Sequence, residues 1–362
     1  MPHTAVSFAP GRVELLGNHT DYNQGFVLSA AIHLGIRIDG ERLPIDEIDV
    51  SSQTNGRSVR IPLQTSRPLE TDLWANYPLG VIIFLRQAGY PVGGMRLRIS
   101  NTLPVGAGLS SSAALEVATA LVVARLFEFE IEPMKLAQLC QRAENDFVGV
   151  RSGLLDQASS VFGKSNQLIL LDFRLTTAKT IPIPDEVALL LMNSGVPHEL
   201  AGSKYNERYS QCMAAAAAMH AKSLRDVTSE QLKSASIDPL LRRRGLHITG
   251  ENERVLAGVE ALRAGNSGEF GELMFLSHNS SRFDFENSTP FLDALVDIAR
   301  ETPGVLGSRL SGGGFGGSTV SLVSKEQASS ATERIAAEYR RRTGVTCTPI
   351  LTEPSNGARI IE

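Results

Sequence analysis

Short runs of alternating or β-branched apolar residues, each bounded by Gly, Pro or Asn, predict β-strands in the first half of the chain. A longer apolar run rich in Ala and Leu, residues 111–129, predicts a largely buried helix, and a more amphipathic run at 135–149 predicts a second one. The predicted strands are VSFAP (6–10), GFVLSAAI (25–32), MRLRIS (95–100), QLILLDF (167–173) and VALLLMNS (187–194). Strand and helix signals are therefore mixed in this half.

Helical patterns dominate from about residue 190 onward, with strands returning near the end. We expect a domain boundary at 185–195, which divides the chain into residues 1–190 and 191–362. The overall class is α+β, with two lobes and a cleft between them. The predicted helices are 205–223, 251–265, 289–301 and 324–344, and the predicted strands are 318–324 and 346–353.

Composition and charge limit the possible partners. The chain has 362 residues and a net charge of −4, so nothing global attracts it to nucleic acid or an anionic membrane. Its opening residues lack a signal-peptide pattern, and its three cysteines fit reduced, packed side chains. Arginine triplets at 242–244 and 340–342 fit solvated helix ends better than a polyanion site. We expect a cytoplasmic protein, a monomer or weak homo-oligomer, that binds small molecules.

The segment LPVGAGLSSSAALEVA, residues 103–118, carries the clearest chemical signal. Two glycines and three serines precede the long helix, and a helix N-terminus presents unpaired N–H groups and partial positive charge to an anion. A single serine here would be an ordinary cap, but three exceed what capping requires. The segment matches neither the Walker A nor the dinucleotide pattern. It predicts a phosphate-binding loop of another kind.

Two further segments are unusual. SRLSGGGFGGSTVSLV, residues 308–323, joins five glycines directly to a strand, which indicates a fixed loop approaching something closely or, alternatively, a flexible tether. GRVELLGNHTDYNQG, residues 11–25, crowds many hydrogen-bonding side chains into a strand and turn.

Taken together and in this order, the three segments resemble the three motifs of the GHMP kinases. GRVELLGNHTDYN is similar to the signature of the galactose-phosphorylating branch of that family, and similar blocks run from about residue 7 to the last strands. The resemblance implies a two-lobed fold and transfer of the γ-phosphoryl group of ATP, with Mg²⁺, to the C1 hydroxyl of D-galactose.

The resemblance also implies roles for individual residues. Asp156 would be the general base, with Arg12 beside it stabilising negative charge, and Ser112 and Glu144 would hold Mg²⁺. The sugar-binding positions would be Asn18, His19, Asp21, Gly153, Asp156 and Tyr205. ATP would contact Trp74 and Tyr77 around the adenine, and Gly106, Gly108, Ser110, Ser111 and Ser112 around the phosphates.

The chain departs from the family pattern at three positions. Asn18 replaces a glutamate that contacts the sugar near its C6 hydroxyl, Glu14 replaces an asparagine, and Pro197 replaces an arginine before His198. A neutral asparagine would still bind a hydroxyl and would repel a C6 carboxylate less. Galacturonate or another related sugar therefore remains an alternative substrate. A sensor of the same fold without turnover is a second alternative, but the intact phosphate loop argues against it.

Overall fold

The computed structural model describes residues 3–104, 106–150, 152–196 and 201–361, without the side chains of 201–203. The strands are β1 Thr4–Leu16, β2 Phe26–Arg42, β3 Glu47–Ser52, β4 Arg57–Pro62, β5 Met95–Asn101, β6 Gln167–Asp172, β7 Thr177–Pro182, β8 Val187–Asn193, β9 Val305–Ser311, β10 Ser318–Ser324, β11 Thr348–Thr352 and β12 Arg359–Ile360. The helices are α1 Asn76–Gln87, α2 Ser111–Leu126, α3 Pro133–Arg142, α4 Leu155–Phe162, α5 Ala201–Ala218, α6 Ser229–Ser234, α7 Pro239–Arg263, α8 Ser267–Ser280, α9 Pro290–Arg300 and α10 Ala328–Thr343.

Within the described ranges the strands form two sheets. The larger runs β12-β1-β2-β5-β3-β4, and β6 and β7 continue from one end of β2. Strand β2 is long enough to pair with β6 through Phe26–Ser29 and with β5 through Ile36–Arg42. The smaller sheet runs β11-β8-β10-β9 and is antiparallel throughout. The α+β class with two lobes is therefore confirmed.

Helix α2 explains how the larger half is held together. It packs against β1 and β2 on one side and against α1, α3 and α4 on others. Its Ala, Val and Leu side chains are buried nearly all round, which is why its sequence shows no polar face. The smaller sheet buries Leu190 and Met192 against α9 and α10.

The predicted division at 190/191 falls inside β8, which belongs to the smaller sheet, and it stays a prediction. The chain passes between the sheets from β7 to β8 and returns from β11 to β12. Both connections lie beside one residue, because Ile183 donates to the carbonyl of Asn166 and Asn166 donates to that of Pro354, each at 3.1 Å. The two covalent connections between the sheets therefore lie side by side.

Several expectations change in detail. The helix predicted at 135–149 is α-helical only to Arg142 and continues as a π-helix over Ala143–Val148. Arg244, predicted as solvated, is 2% exposed and its Nη2 lies 2.5 Å from Glu286, because α7 turns it inward. Arg341 and Arg342 lie at the exposed end of α10, paired with Glu338.

The three cysteines are free and buried, as expected. Among the described helices, none is both long and apolar enough to cross a membrane.

Candidate active site

A cavity of about 470 Å³ lies between the two halves of the molecule. Its walls come from residues 12–21 at the end of β1, residues 152–156 before and within α4, Tyr205 and Asn206 of α5, and the glycine loop 312–315. A second cavity of about 340 Å³ lies along the loop 103–112 and shares Arg12, Asp156 and the glycine loop with the first. Two adjoining cavities therefore meet at Arg12 and Asp156.

Arg12 and Asp156 form a partly buried ion pair at that junction. Nε and Nη2 of Arg12 each lie 2.8 Å from Oδ1 of Asp156, and Nη1 donates to the carbonyl of Gly108 at 2.8 Å. The Asp156 side chain is 24% exposed, and its Oδ2 has no hydrogen-bond partner among the described residues. One carboxylate oxygen is thus fixed and the other remains available at the cavity.

The turn after β1 presents the polar side chains of the first cavity. Gly17 and His19 have positive φ values of 100° and 59°, a conformation that is costly for histidine. Glu251 of α7 stabilises the turn, because its Oε2 accepts from the backbone N–H groups of Gly17 and Asn18 at 2.8 and 2.9 Å. A buried carboxylate from the second half of the chain therefore fixes this turn.

His19 lines the cavity with both ring nitrogens occupied. Nε2 lies 3.0 Å from the carbonyl of Gly313, so it carries the proton, and Nδ1 accepts from the Tyr22 hydroxyl at 2.8 Å. Burial lowers the pKa of His19 to about 4, which keeps the ring neutral at pH 7. Its predicted role toward the sugar stays a prediction.

Asp21 approaches the cavity over a glycine. A Cβ at position 153 would lie 1.6 Å from Oδ2 of Asp21, so only glycine allows this placement. Burial, reinforced by the charges of Glu14 and Asp156, raises the pKa of Asp21 to about 7. The predicted residues Asp21 and Gly153 are brought into direct contact.

Tyr205 closes the same side of the cavity. Its ring centroid lies 4.9 Å from that of His19 and 5.8 Å from that of Tyr22. Burial, with the nearby charges of Asp21 and Asp156, raises the pKa of its hydroxyl well above the usual range. The phenol stays protonated and is able to donate a hydrogen bond.

A buried polar cluster lies at the base of the cavity. Arg309, fully buried, donates to Oε1 of Glu14 at 2.8 Å, and the Asn18 amide donates to the same oxygen at 3.0 Å. The Asn18 amide also donates to the carbonyl of Gly312 at 2.8 Å, while its oxygen accepts from Asn287 at 2.8 Å. Glu14 and Asn18, two of the three positions that depart from the family pattern, are direct partners.

The loop before α2 has the geometry expected of an anion site. Gly106 and Gly108 have φ values of 72° and 71°, and Ser110 is left-handed at 59°. Ser110 makes no capping bond to the helix, and its buried Oγ has no partner among the described residues. The first turn of α2 carries no acidic residue, which leaves its N–H groups and partial positive charge uncompensated.

Glu144 lies in the π-helical segment and gathers several donors. Its Oε2 accepts from Ser152 at 2.5 Å and from Gln157 at 2.9 Å, and the Ser112 hydroxyl lies close enough to its carboxylate to lower the pKa of Glu144. Burial raises the pKa of Glu144, although these hydrogen bonds oppose the shift. The two residues predicted to bind a metal therefore lie near each other. In the described part of the chain, no group of three or more His, Cys, Asp or Glu side chains is arranged so that it could hold a metal ion.

Trp74 and Tyr77 line neither cavity as these are formed by the described residues. Trp74 packs against the main hydrophobic core and donates to Asp72 at 3.3 Å. Tyr77 lies near Glu144, whose charge adds to burial in raising the pKa of the tyrosine. Their predicted contact with adenine stays a prediction.

The other predicted residues all line one of the two cavities, apart from Glu144 beside them. Sequence reasoning missed Glu251, Arg309, Asn287 and Gln157, because no local pattern marks the partners through which they act. The expected loss of a charge at Pro197, next to His198, lies outside the described residues.

Comparison with known proteins identifies relatives of this chain. Residues 2–40 match the galactokinase galactose-binding signature, residues 76–164 the GHMP kinases N terminal domain and residues 259–341 the GHMP kinases C terminal domain. Galactokinase of Lactococcus lactis, solved with galactose, is 32% identical, with a TM-score of 0.94 over 98% of this chain and 95% of that one. Mevalonate kinase of Methanococcus jannaschii shares the fold at 20% identity, with a TM-score of 0.70 over 97% and 98%.

The chain belongs to the GHMP kinase family, a class of small-molecule kinases that share this two-lobed fold. Within that family the matched signature and the close fit to the L. lactis enzyme place it among the galactokinases, which are sugar kinases.

Proposed function

We propose that this protein transfers the γ-phosphoryl group of ATP to the C1 hydroxyl of D-galactose. The observation that carries the proposal is the position of Asp156 and Arg12 where a sugar-sized cavity meets a phosphate-loop cavity. A hydroxyl in the first cavity and a phosphoryl group in the second would both reach this pair.

The chemistry follows from the state of the two side chains. Asp156 accepts the proton of the attacking hydroxyl on its open Oδ2, the new bond forms between the sugar oxygen and phosphorus, and the bond to ADP breaks. Such transfers depend mainly on positioning and on charge stabilisation. Arg12 provides both, because it fixes Oδ1 of Asp156 and lies beside the loop expected to hold the phosphates.

The phosphate loop fits a polyphosphate. The unpartnered Ser110 hydroxyl, the uncompensated start of α2 and the open glycines 106 and 108 offer donors and space to anionic oxygens. Serine and carboxylate oxygens suit Mg²⁺, so Ser112 and Glu144 are the residues that would hold it, with phosphate and water as further ligands. When bound, the ion would neutralise phosphate charge.

The alternatives receive less support. A non-catalytic sensor has no need for the pairing of Arg12 with Asp156, which is intact here. A galacturonate kinase would have to place a sugar carboxylate in a cavity that already holds Glu14, Asp21 and Asp156.

A sugar panel tests the proposal. Purified protein is assayed with MgATP and galactose, talose, glucose, arabinose, galacturonate, N-acetylgalactosamine or 2-deoxygalactose, with Asp156→Asn as the control. We expect galactose to lead by more than tenfold in kcat/KM and to yield galactose 1-phosphate, identified by phosphorus NMR. If another sugar gives the highest kcat/KM, galactose is not the substrate. If the unsubstituted protein binds galactose without turnover, the protein is not a galactose-phosphorylating enzyme.

A further inference from the structure

The buried cluster at the base of the sugar cavity assigns unequal roles to its two carboxylate oxygens. Every hydrogen bond described for the Glu14 carboxylate falls on Oε1, from Arg309 at 2.8 Å and Asn18 at 3.0 Å. Oε2 has no hydrogen-bond partner among the described residues, yet it is not among the fully enclosed, unpartnered side-chain atoms. Because Glu14 lines the cavity, Oε2 is the oxygen that remains for a ligand.

Asn18 is in the opposite situation. Both N–H groups of its amide are engaged, with Glu14 and with the carbonyl of Gly312, and its oxygen already accepts from Asn287. The residue is fully buried. An amide with its donors saturated offers a sugar hydroxyl little more than one lone pair.

Charge supports the same assignment. Arg309 is fully buried, and Glu14 is the carboxylate that pairs with it, at 2.8 Å. An oxygen of a carboxylate that lines a cavity is a strong acceptor for a hydroxyl donor. The negative charge that the family pattern places at position 18 is thus present here, carried four residues earlier.

We propose that Glu14, through Oε2, accepts a hydrogen bond from one sugar hydroxyl remote from C1, and that Asn18 and Arg309 act as positioning residues for its carboxylate. The hydroxyl must be remote from C1 because Glu14 does not line the phosphate-loop cavity, whereas Asp156 lines both. This inference rests on the proposed function and names a residue that recognises one hydroxyl of the sugar.

Glu14→Gln is the decisive variant. The donors of Arg309 and Asn18 will orient the new amide so that its oxygen replaces Oε1, which puts an NH₂ group in place of Oε2. The ligand then meets a donor instead of an acceptor, with the size of the side chain unchanged. Glu14→Asp, which keeps the charge beside Arg309 but withdraws the acceptor, serves as the second variant if the first folds poorly.

The measurement is kcat/KM for galactose and for its 2-, 3-, 4- and 6-deoxy derivatives, in the unsubstituted protein and both variants. We expect each variant to lose about ten- to a hundredfold on galactose. The loss should recur on three of the deoxy sugars and fall below about threefold on the fourth, which lacks the hydroxyl that Glu14 binds.

The outcomes distinguish a failure of the role of Glu14 from a failure of the proposed function. An equal loss on all four deoxy sugars overturns the role of Glu14, since a merely structural cluster would disturb every sugar alike. An unchanged kcat/KM in both variants overturns it as well. Absence of galactose turnover in the unsubstituted protein refutes instead the proposed function on which the inference rests.

Discussion

Arg12 holds one oxygen of Asp156 with two nitrogens, at 2.8 Å each, and uses its third nitrogen to hold the carbonyl of Gly108. A single guanidinium therefore links the acid at the sugar cavity to the loop at the phosphate cavity. Only arginine has donors enough, in a fixed plane, to make these three contacts.

Arg12→Lys should therefore lower kcat by at least about a hundredfold, because an ammonium lacks the planar fork with which arginine makes all three contacts at once. The KM for galactose should change less than threefold, since the sugar contacts proposed for Glu14, Asp21 and Tyr205 remain. Steady-state kinetics in parallel with Asp156→Asn check this. A variant with normal kcat would show that the linkage is dispensable.

Sugar binding should be coupled to a proton at Asp21. Burial raises the pKa of this carboxyl to about 7, and hydroxyls that donate to the ionised form would lower the value again. Binding of galactose at pH 6.5 should then release up to about three quarters of a proton, and affinity should rise with pH through the range 5.5–7.5. Calorimetric titration in buffers of different ionisation enthalpy measures the release.

Asp21→Asn is the control for that titration, and proton release should disappear in it. Because the folded pKa of Asp21 lies above its unfolded value, the folded protein binds the extra proton between about pH 4 and 7. This carboxyl therefore makes folding less favourable as pH rises through that window. If the unsubstituted protein gave the same binding enthalpy in every buffer, no proton would be released, and the coupling would be contradicted.

Gly153→Ala should disable the sugar cavity without unfolding the protein. The new Cβ would lie 1.6 Å from Oδ2 of Asp21, so the carboxylate or the backbone of the 152–154 segment must move. We expect the KM for galactose to rise at least tenfold, at a stability cost of about 1–3 kcal/mol. Gly268→Ala, whose new Cβ meets its nearest neighbour at 3.7 Å, should leave the KM unchanged and raise the stability of the helix α8 site by about 0.4–1 kcal/mol.

Glu251→Gln should weaken the whole turn that carries His19. Burial opposes ionisation of Glu251, but Arg254 and the backbone N–H of Asn18 outweigh it and lower the pKa of the carboxyl. Its contribution to stability is present above about pH 4.5 and is lost as pH falls below. At pH 7 the substitution should cost about 3 kcal/mol in urea unfolding.

Glu260→Gln is the matched comparison on the same helix, because Glu260 pairs with Arg263 at the surface. It should cost less than about 1 kcal/mol. Equal losses for the two variants would mean that Glu251 does not brace the turn.

The sequence was informative wherever a pattern was local. Helix α2 was predicted because its apolar run is long and uninterrupted, and Arg12, Glu144 and Asp156 lie in compact motifs. Helices α1 and α8 escaped prediction because glycines interrupt them. Those glycines serve packing, since a Cβ at Gly271 would lie 2.0 Å from the carbonyl of Leu306.

Long-range partners could not be read from the chain in the same way. Glu251 meets Asn18 across 233 residues, and Arg309 meets Glu14 across 295. Neither residue lies in a local pattern that marks a partner, and only the folded chain brings them together. Other long-range contacts changed the interpretation of Asn18, because its side-chain amide is engaged with Gly312 and Asn287.

The double passage of the chain between the two sheets beside Asn166 has a mechanical consequence. Because both covalent links lie beside Asn166, the two sheets are connected through the chain at one edge only. Because the main hydrophobic core also joins the two sheets, through side chains such as Leu28 of β2 and Leu189 of β8, any widening of the cleft has to disturb buried contacts as well as these links.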